Sequence, residues 1–230
     1  LSVHGKIVIV SENVKFAMPE TTIGLFPDVG AGKILSSLES KIGNYLGLTG
    51  KRINASDLVE LGIAQYCVPY ENFEILEKQL SNIKDKTKIN SLIKSFSIKT
   101  ESDFFPLNNS EILLCFNSNK MEEIILNLKE NNSYWSDEAL NLIKNKSPTS
   151  LKIALRQITL AKNLSFEEDL TMEYRLSQGC MKGHDFYEGV RSVLVDKDHQ
   201  PKWNPKTLEE VTNEIVESHF ISLGEGDLKL

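Results

Sequence analysis

The scarcity of β-strand patterns is the feature that most constrains the fold of this 230-residue chain. Residues 6–10 form a β-branched apolar run that predicts a buried strand, and residues 14–18 alternate as a second strand would. Residues 63–68 are the third candidate, and helical patterns cover most of the remainder. Because a buried sheet needs neighbouring strands and cover on both faces, we expect the first half of a domain to precede residue 1.

Composition excludes several classes of partner. The 26 Lys and Arg against 32 Asp and Glu give a net charge of −6, and no basic run suited to nucleic acid is present. No apolar stretch reaches the roughly 18 residues of a membrane span, so we expect neither a nucleic-acid nor a membrane partner. Cys67, Cys115 and Cys180 are too far apart for a CxxC zinc site, and the histidines lack metal-ligand spacing, so no metal is expected.

Helix-boundary signals organise the rest of the chain. Gly30 and Gly32 open one predicted helix, and Gly50 closes another over about residues 41–48. Asn54 or Ser56 is the expected N-cap of a short helix that ends at Gly62. Further helices are predicted at about 71–84, 111–115, 120–129 and 136–146.

The C-terminal part carries two more capping signals. Ser147 and Pro148 have the residue types of an N-cap and first helical position. Asp185 and Glu188 have the spacing of a capping-box variant. Cys180 lies on a predicted helix, where we expect it to pack as a small apolar residue.

The patterns divide the chain into three ranges within one structural domain. Residues 1–70 hold the strands and a candidate site loop, residues 71–146 are helical, and residues 147–230 form a C-terminal helical region. Within the second range, residues 85–109 are dominated by Lys, Ser, Thr and Asn and predict a surface insertion.

Two carboxylates in residues 16–32 are the candidate site. Glu20 follows a predicted strand, and Asp28 comes shortly afterwards beside the glycine-rich start of a helix. Loops at strand ends are where sites in α/β folds collect, and a preceding proline stiffens each turn, which suits a fixed base or nucleophile. Glu20 and Asp28 are equally the residue types of a turn and a helix cap, so the pattern alone leaves both interpretations open.

This stretch resembles the crotonase superfamily and, within it, the 3-hydroxyisobutyryl-CoA hydrolase family. The matching residues are Met18-Pro19-Glu20, Ile23-Gly24-Leu25-Phe26-Pro27-Asp28-Val29-Gly30 and Gly32. Ala31 and Lys33 depart from the family pattern. Residues 48–64 and most of 147–203 also resemble the family, so the likeness covers essentially the whole chain outside the predicted insertion.

The resemblance implies an α/β, crotonase-like (ClpP/crotonase) fold, truncated at the N-terminus and followed by a helical C-terminal region. It also implies hydrolysis of the thioester of 3-hydroxyisobutyryl-CoA, a step of valine catabolism, in the mitochondrial matrix. By matching position, Glu20 forms a mixed anhydride or acts as the base, while Asp28 binds the 3-hydroxyl group and assists proton transfer. Both are therefore the implied catalytic and substrate-binding residues. No cofactor is implied, because CoA is part of the substrate.

The family's oxyanion donors and most of its CoA-binding surface would lie before residue 1, so we expect these 230 residues alone to be inactive. The implied partner is a small acyl-CoA, and a homo-oligomer stays open because crotonase relatives often form trimers or hexamers. Two other hypotheses remain. One is a hydratase or isomerase that leaves the thioester intact, and the other is a non-catalytic structural subunit of a mitochondrial assembly.

Overall fold

The computed structural model describes residues 2–102 and 104–230. Its strands and helices are β1 (Ile9–Val10), α1 (Ala31–Ser37), α2 (Ile42–Thr49), α3 (Ala55–Glu60), β2 (Tyr66–Cys67), α4 (Phe73–Ser81), α5 (Ile89–Phe96), α6 (Phe104–Phe116), α7 (Met121–Asn131), α8 (Tyr134–Ile143), α9 (Pro148–Ala161), α10 (Phe166–Lys182), α11 (Asp185–Val190) and α12 (Asn213–Ser218). In addition, a 3₁₀ turn spans Glu20–Ile23 and a π-helical turn spans Arg191–Val195. No helix among the described residues has the length and apolar character needed to cross a membrane.

The chain groups into two compact units. The first consists of the described residues of Leu1–Phe16 and Arg52–Leu107, and the second consists of Ala17–Lys51 and Asn108–Leu230. The sequence-based division into 1–70, 71–146 and 147–230 within one structural domain stays a prediction.

The first unit holds the small sheet. β1 and β2 pair in parallel, with Ile9 opposite Tyr66 and Val10 opposite Cys67, so two of the three predicted strands form in shortened versions. The strand predicted at 14–18 is wrong. Only Phe16 makes a ladder contact, an isolated antiparallel bridge to Ile53, because the chain just before it turns, with the Val14 N–H donating to the Ser11 carbonyl at 3.1 Å.

The surface insertion predicted at residues 85–109 stays a prediction, but the segment has secondary structure that the sequence pattern did not predict, because residues 86–96 form a 3₁₀ turn and then α5. Ile89, Leu92, Ile93 and Phe96 recur at helical spacing and pack against a cluster that includes Val68 and Leu76. The Lys, Ser and Asn residues between them occupy the solvent face of the same helix, which is why the composition concealed the pattern.

Most capping predictions are confirmed. Asn54 and Asp57 form a reciprocal capping box at α3, with N–O distances of 3.1 and 3.0 Å. In the second unit, Ser147 caps α9 ahead of Pro148. Gly50 closes α2 in the left-handed conformation, with φ of 62°.

The capping box predicted at Asp185 and Glu188 is wrong. Asp185 is the first residue of α11, and that helix has no side-chain cap. Instead, the Asp185 carboxylate accepts hydrogen bonds from the Ser147 hydroxyl at 2.6 Å and from the Asn204 N–H at 2.8 Å. Glu188 is ion-paired with Arg191. The Asp185 carboxylate therefore holds distant parts of the C-terminal region together, whereas Glu188 forms a local ion pair and also accepts from the Lys202 N–H at 2.7 Å.

The second unit is built around α9, a helix whose inward face is almost completely buried. One hydrophobic cluster of this unit contains Phe26, Ile153, Ala161, Met172, Leu176, Cys180, Val211 and Val216. The sequence prediction that Cys180 packs as a small apolar residue is confirmed. Burial also raises the pKa of its thiol to about 12, as expected for an inert core cysteine.

Candidate functional site

Glu20 is the first residue of the short 3₁₀ turn that follows Pro19. The turn is closed by Gly24, whose φ of 72° is left-handed and whose N–H donates back to the Glu20 carbonyl. The Glu20 side chain is half-buried, and its buried Oε2 atom has no hydrogen-bond partner among the residues that the structure describes. An unpartnered carboxylate oxygen of this kind is free to act on a ligand.

Burial is the main reason that the pKa of Glu20 is raised to about 7. The Asp28 carboxylate raises it further, whereas the backbone N–H of Glu20 and the Lys146 ammonium group favour the ionised form. A pKa near 7 places the carboxyl group where it exchanges protons at physiological pH, which is typical of a group that works in catalysis.

Asp28 lies in the loop that leads into α1. Burial raises the pKa of its carboxyl group as well. The expectation that Asp28 caps α1 is wrong, because Gly30 is the N-cap and no side-chain cap is present at this helix. Neither the Glu20 nor the Asp28 carboxylate is used as a helix cap. The two residues are close enough for the charge of Asp28 to raise the pKa of Glu20.

The loop beside Asp28 has an uncommon backbone. Val29 has a φ of 62° and Gly30 a φ of 74°, so two consecutive residues are left-handed. For a β-branched residue this conformation is an outlier that costs about 1–3 kcal/mol. Such a loop needs contacts from elsewhere in the fold to keep its shape.

Two helices supply those contacts. From α10, the buried Glu173 carboxylate accepts hydrogen bonds from the Gly30 N–H at 2.8 Å and from the Gly32 N–H at 3.4 Å. Asp169, one helical turn earlier, accepts from the Lys33 N–H at 2.9 Å. These carboxylates take the place of the missing cap at the start of α1. Their negative charge also interacts favourably with the partial positive charge of the helix dipole at that end.

α9 completes the network through Gln157. Its amide group donates to the Pro27 carbonyl at 2.7 Å and to the Glu173 carboxylate at 3.2 Å. Burial is the main cause that raises the pKa of Glu173 to about 7, and Asp169 and Asp28 add to it. We call Gln157, Asp169 and Glu173 the loop clamp, because together they hold the backbone on both sides of Asp28.

Sequence reasoning missed the loop clamp and a buried lysine, Lys146. The Nζ atom of Lys146 donates to the Thr22 hydroxyl at 2.8 Å, in the same turn that begins with Glu20. Burial lowers the pKa of Lys146 to about 8, and Glu20 acts against that change. In the sequence, this lysine follows a polar run at the end of a helix, so nothing in the pattern distinguishes it from a solvated residue.

Ala31, one of the two departures from the family pattern, is the first residue of α1 and has a helical backbone. The other departure, Lys33, donates from Nζ to the Leu164 carbonyl, and to the Ala161 carbonyl at 3.3 Å. Among the described residues, no group of three or more His, Cys, Asp and Glu side chains is arranged to hold a metal ion.

The helical fold with its small parallel sheet, together with two acidic residues between β1 and α1, Glu20 in a 3₁₀ turn and Asp28 in the loop before α1, defines a crotonase-fold protein. A family described as enoyl-CoA hydratase/isomerase matches residues 1–220. The chain belongs to that family. Two solved structures have the same fold and are each 30% identical in sequence: a carnitinyl-CoA dehydratase from Mycobacterium thermoresistibile (TM-score 0.91, 99% of this chain and 65% of that one) and an enoyl-CoA hydratase from Rhodobacter sphaeroides 2.4.1 (TM-score 0.89, 100% and 66%).

A curated relative is more similar in sequence. The human protein named "3-hydroxyisobutyryl-CoA hydrolase, mitochondrial" is 47% identical over 236 residues, which cover 100% of this chain. The same alignment covers 61% of the human protein, so the chain spans about three-fifths of that relative's length. The family resemblance noted at residues 18–32 is thus confirmed across the whole chain.

Proposed function

We propose that the full-length protein hydrolyses the thioester of 3-hydroxyisobutyryl-CoA to 3-hydroxyisobutyrate and CoA. The observation that carries this proposal is the Glu20 carboxyl group, half-buried, unpartnered at Oε2 and with a pKa raised to about 7. The 47% identity to a human hydrolase of that name supports the choice of substrate.

In the proposed reaction, Glu20 acts first as nucleophile or as base. As nucleophile, one Glu20 oxygen adds to the thioester carbonyl carbon, the C–S bond breaks, and CoA leaves as a thiolate that takes up a proton. Water then cleaves the mixed anhydride, which releases 3-hydroxyisobutyrate and regenerates the carboxylate. As base, Glu20 instead removes a proton from the water that attacks the same carbon.

Asp28 is the proposed partner of Glu20. Its carboxyl group would accept a hydrogen bond from the substrate's 3-hydroxyl group and assist proton transfer. The charge of Asp28 raises the pKa of Glu20, because two neighbouring carboxylates repel each other when both are ionised. In the proposed scheme one carboxyl group of the pair therefore carries a proton while the other is ionised, which is the arrangement that acid–base chemistry needs. No cofactor is required in this scheme, since CoA enters and leaves with the substrate.

The biological setting is part of the proposal. The human relative is named as a mitochondrial protein, so we infer that this protein acts in mitochondria, on a small acyl-CoA produced during valine breakdown. A homo-oligomer is compatible with the proposal and is not needed for it.

The test is CoA thiol release from 3-hydroxyisobutyryl-CoA by the full-length protein, followed with a thiol-reactive chromogenic disulfide. We expect Glu20→Gln to lower kcat by at least about 10²-fold, because the amide can neither attack nor accept a proton. Glu39→Gln is the matched control, since Glu39 is an exposed carboxylate of the same unit. The 230-residue chain alone is expected to release no thiol.

One of the solved structures with the same fold is an enoyl-CoA hydratase, so hydration of an enoyl-CoA is the alternative reaction to test. A well-folded full-length protein that releases no thiol but hydrates an enoyl-CoA would replace the hydrolase proposal by hydratase chemistry. Loss of the ultraviolet absorbance of the conjugated enoyl thioester measures that reaction directly. Absence of both activities would favour a structural role.

A further inference from the structure

Lys146 is a buried lysine, with only 6% of its surface exposed, in the short segment between α8 and α9. Lysine is almost never buried to this extent unless its charge is compensated. The only hydrogen-bond acceptor of its Nζ atom among the described residues is the Thr22 hydroxyl, at 2.8 Å. A neutral hydroxyl is a weak partner for an ammonium group, so the reason for burying this charge has to come from a neighbour.

The fold makes room for the ammonium group beside the turn that carries Glu20. Gly50 is left-handed, with φ of 62°, and a Cβ atom on it would lie 3.1 Å from the Lys146 Nζ atom. The same Cβ would lie 3.1 Å from the Pro19 Cα atom and 3.2 Å from the Met18 carbonyl oxygen. The ammonium group thus fits against the chain that leads directly into Glu20, in space left by a missing side chain.

Glu20 is the charged group whose electrostatic field acts on Lys146. Its Oε2 atom is buried without a hydrogen-bond partner in the described part of the chain, and its charge is the one that favours the ionised form of Lys146. The effect is mutual, since Lys146 lowers the pKa of Glu20. Burial disfavours the charged form of each group, so it raises the pKa of Glu20 and lowers the pKa of Lys146. The resulting pKa is about 7 for Glu20 and about 8 for Lys146.

Other charged groups on the packed elements do not replace Lys146. α9 and α11 both contact the Glu20–Ile23 turn. Their charged side chains have partners elsewhere: Lys152 with Glu122, Arg156 with Glu217, Asp185 with Ser147, and Glu188 with Arg191. Asp28, the remaining charged group that acts on Glu20, is an acid and favours the protonated form. Lys146 is therefore the cation that acts on this carboxylate in the described residues.

We propose that Lys146 is a positioning residue whose buried ammonium group, anchored by Thr22, keeps the Glu20 carboxylate ionised for attack on the thioester. This role rests on the proposed function of Glu20. Lys146 itself does not touch the reacting atoms in this scheme. Its removal should leave substrate binding nearly unchanged and should move the pH at which Glu20 becomes active.

The experiment measures the ionisation of Glu20 directly in the full-length protein. With ¹³C-labelled glutamate carboxyl groups, the Glu20 resonance is assigned as the signal lost in Glu20→Gln, and its titration midpoint is followed by NMR. We expect Lys146→Met to raise that midpoint by about one pH unit, because a nearby positive charge is lost. The acid limb of the kcat/KM profile for thiol release should move in the same direction by the same amount.

Lys144→Met is the matched control, because Lys144 is an exposed lysine two positions away. It should leave both the midpoint and the acid limb unchanged. Thr22→Val keeps Lys146 and removes its anchor, so it should raise the Glu20 midpoint by a smaller amount, and it decides the question if Lys146→Met does not fold. An unchanged Glu20 midpoint in a folded Lys146→Met or Thr22→Val protein would overturn the inference.

The two proposals fail separately. The NMR titration needs no substrate, so it decides the role of Lys146 even for a protein that releases no thiol. Normal thiol release with an unchanged Glu20 midpoint would leave the hydrolase proposal intact and remove the role of Lys146.

Discussion

At the scale of single residues, two glycines fix the position of the Glu20 turn against α11. A Cβ atom on Gly24 would lie 2.3 Å from the Asp185 carbonyl group, and a Cβ atom on Gly189 would lie 2.3 Å from the Ile23 carbonyl carbon. These are backbone atoms, so no side-chain movement relieves the overlap. The turn and the helix thus meet backbone to backbone, which gives Glu20 a rigid support.

We predict that Gly189→Ala destabilises the full-length protein by about 1–3 kcal/mol, because the added methyl group forces α11 away from the Glu20 turn. In an exposed helix the same substitution would stabilise the protein slightly. Gly183→Ala is the control, since its Cβ atom would have ordinary contacts, the nearest at 3.4 Å. Urea unfolding measures both variants, and equal stability of the two would contradict the close-contact explanation.

Glycine-dependent contacts of this kind were not predicted from the sequence. The sequence shows that Gly24 and Gly189 lie in stretches that resemble the family, but it does not show that they face each other's backbones across more than a hundred residues. The charge state of Glu20 was equally hidden, because it depends on burial and on Lys146. The residue types predicted which carboxylates form the candidate site, but they did not predict how deeply those carboxylates are buried or which groups surround them.

At the scale of elements, the loop clamp joins α9 and α10 to the start of α1. The Glu173 carboxylate receives two backbone N–H groups and the Gln157 amide, all of them buried. It thereby supports a loop in which Val29 and Gly30 are both left-handed. The position of Asp28 is consequently set by helices that lie more than a hundred residues later in the chain.

We predict that Glu173→Ala lowers the free energy of unfolding of the full-length protein by about 1–3 kcal/mol, because it leaves buried N–H donors without acceptors. Amide hydrogen exchange of residues 28–33 should accelerate more than exchange in the rest of α1. Glu167→Ala is the matched control, because Glu167 is an exposed carboxylate on the same helix. Unchanged exchange in that loop would mean that Glu173 does not hold it.

The elements themselves were predictable wherever the signal is local. Asn54, Gly50 and Ser147 each act within a few residues of their own position, and all three were placed correctly. Where prediction failed, the causes differ. α5 was not predicted because its polar face dominates the composition, and the strand at 14–18 was wrong because the chain turns just before Phe16. The capping box at Asp185 was wrong because the partners of Asp185, Ser147 and the Asn204 N–H, are distant in sequence.

At the scale of the whole molecule, Glu20 and Glu173 both make the stability of the native state depend on pH. Burial raises the pKa of each from 4.5 to about 7, so the native state binds protons that the unfolded chain has released. The contribution of such a group to stability is complete below about pH 4.5 and is lost as the pH rises through about 7. Carboxylates with lowered pKa values, such as Asp227, act mainly at more acidic pH.

We therefore predict that the full-length protein is more stable at pH 5 than at pH 8, and that Glu20→Gln combined with Glu173→Gln removes most of that difference. The double substitution should reduce the difference in free energy of unfolding between pH 5 and pH 8 by on the order of 1–3 kcal/mol. This is less than the two pKa shifts alone imply, because Glu20 is only half-buried and solvent screens its charge. Urea unfolding of both proteins at several pH values measures it. Groups that do not interact with Glu20 or Glu173 titrate alike in the two proteins, so the comparison reports on these two residues together with Lys146, whose pKa Glu20 raises. Parallel stability curves would show that the native fold does not retain the protons of Glu20 and Glu173.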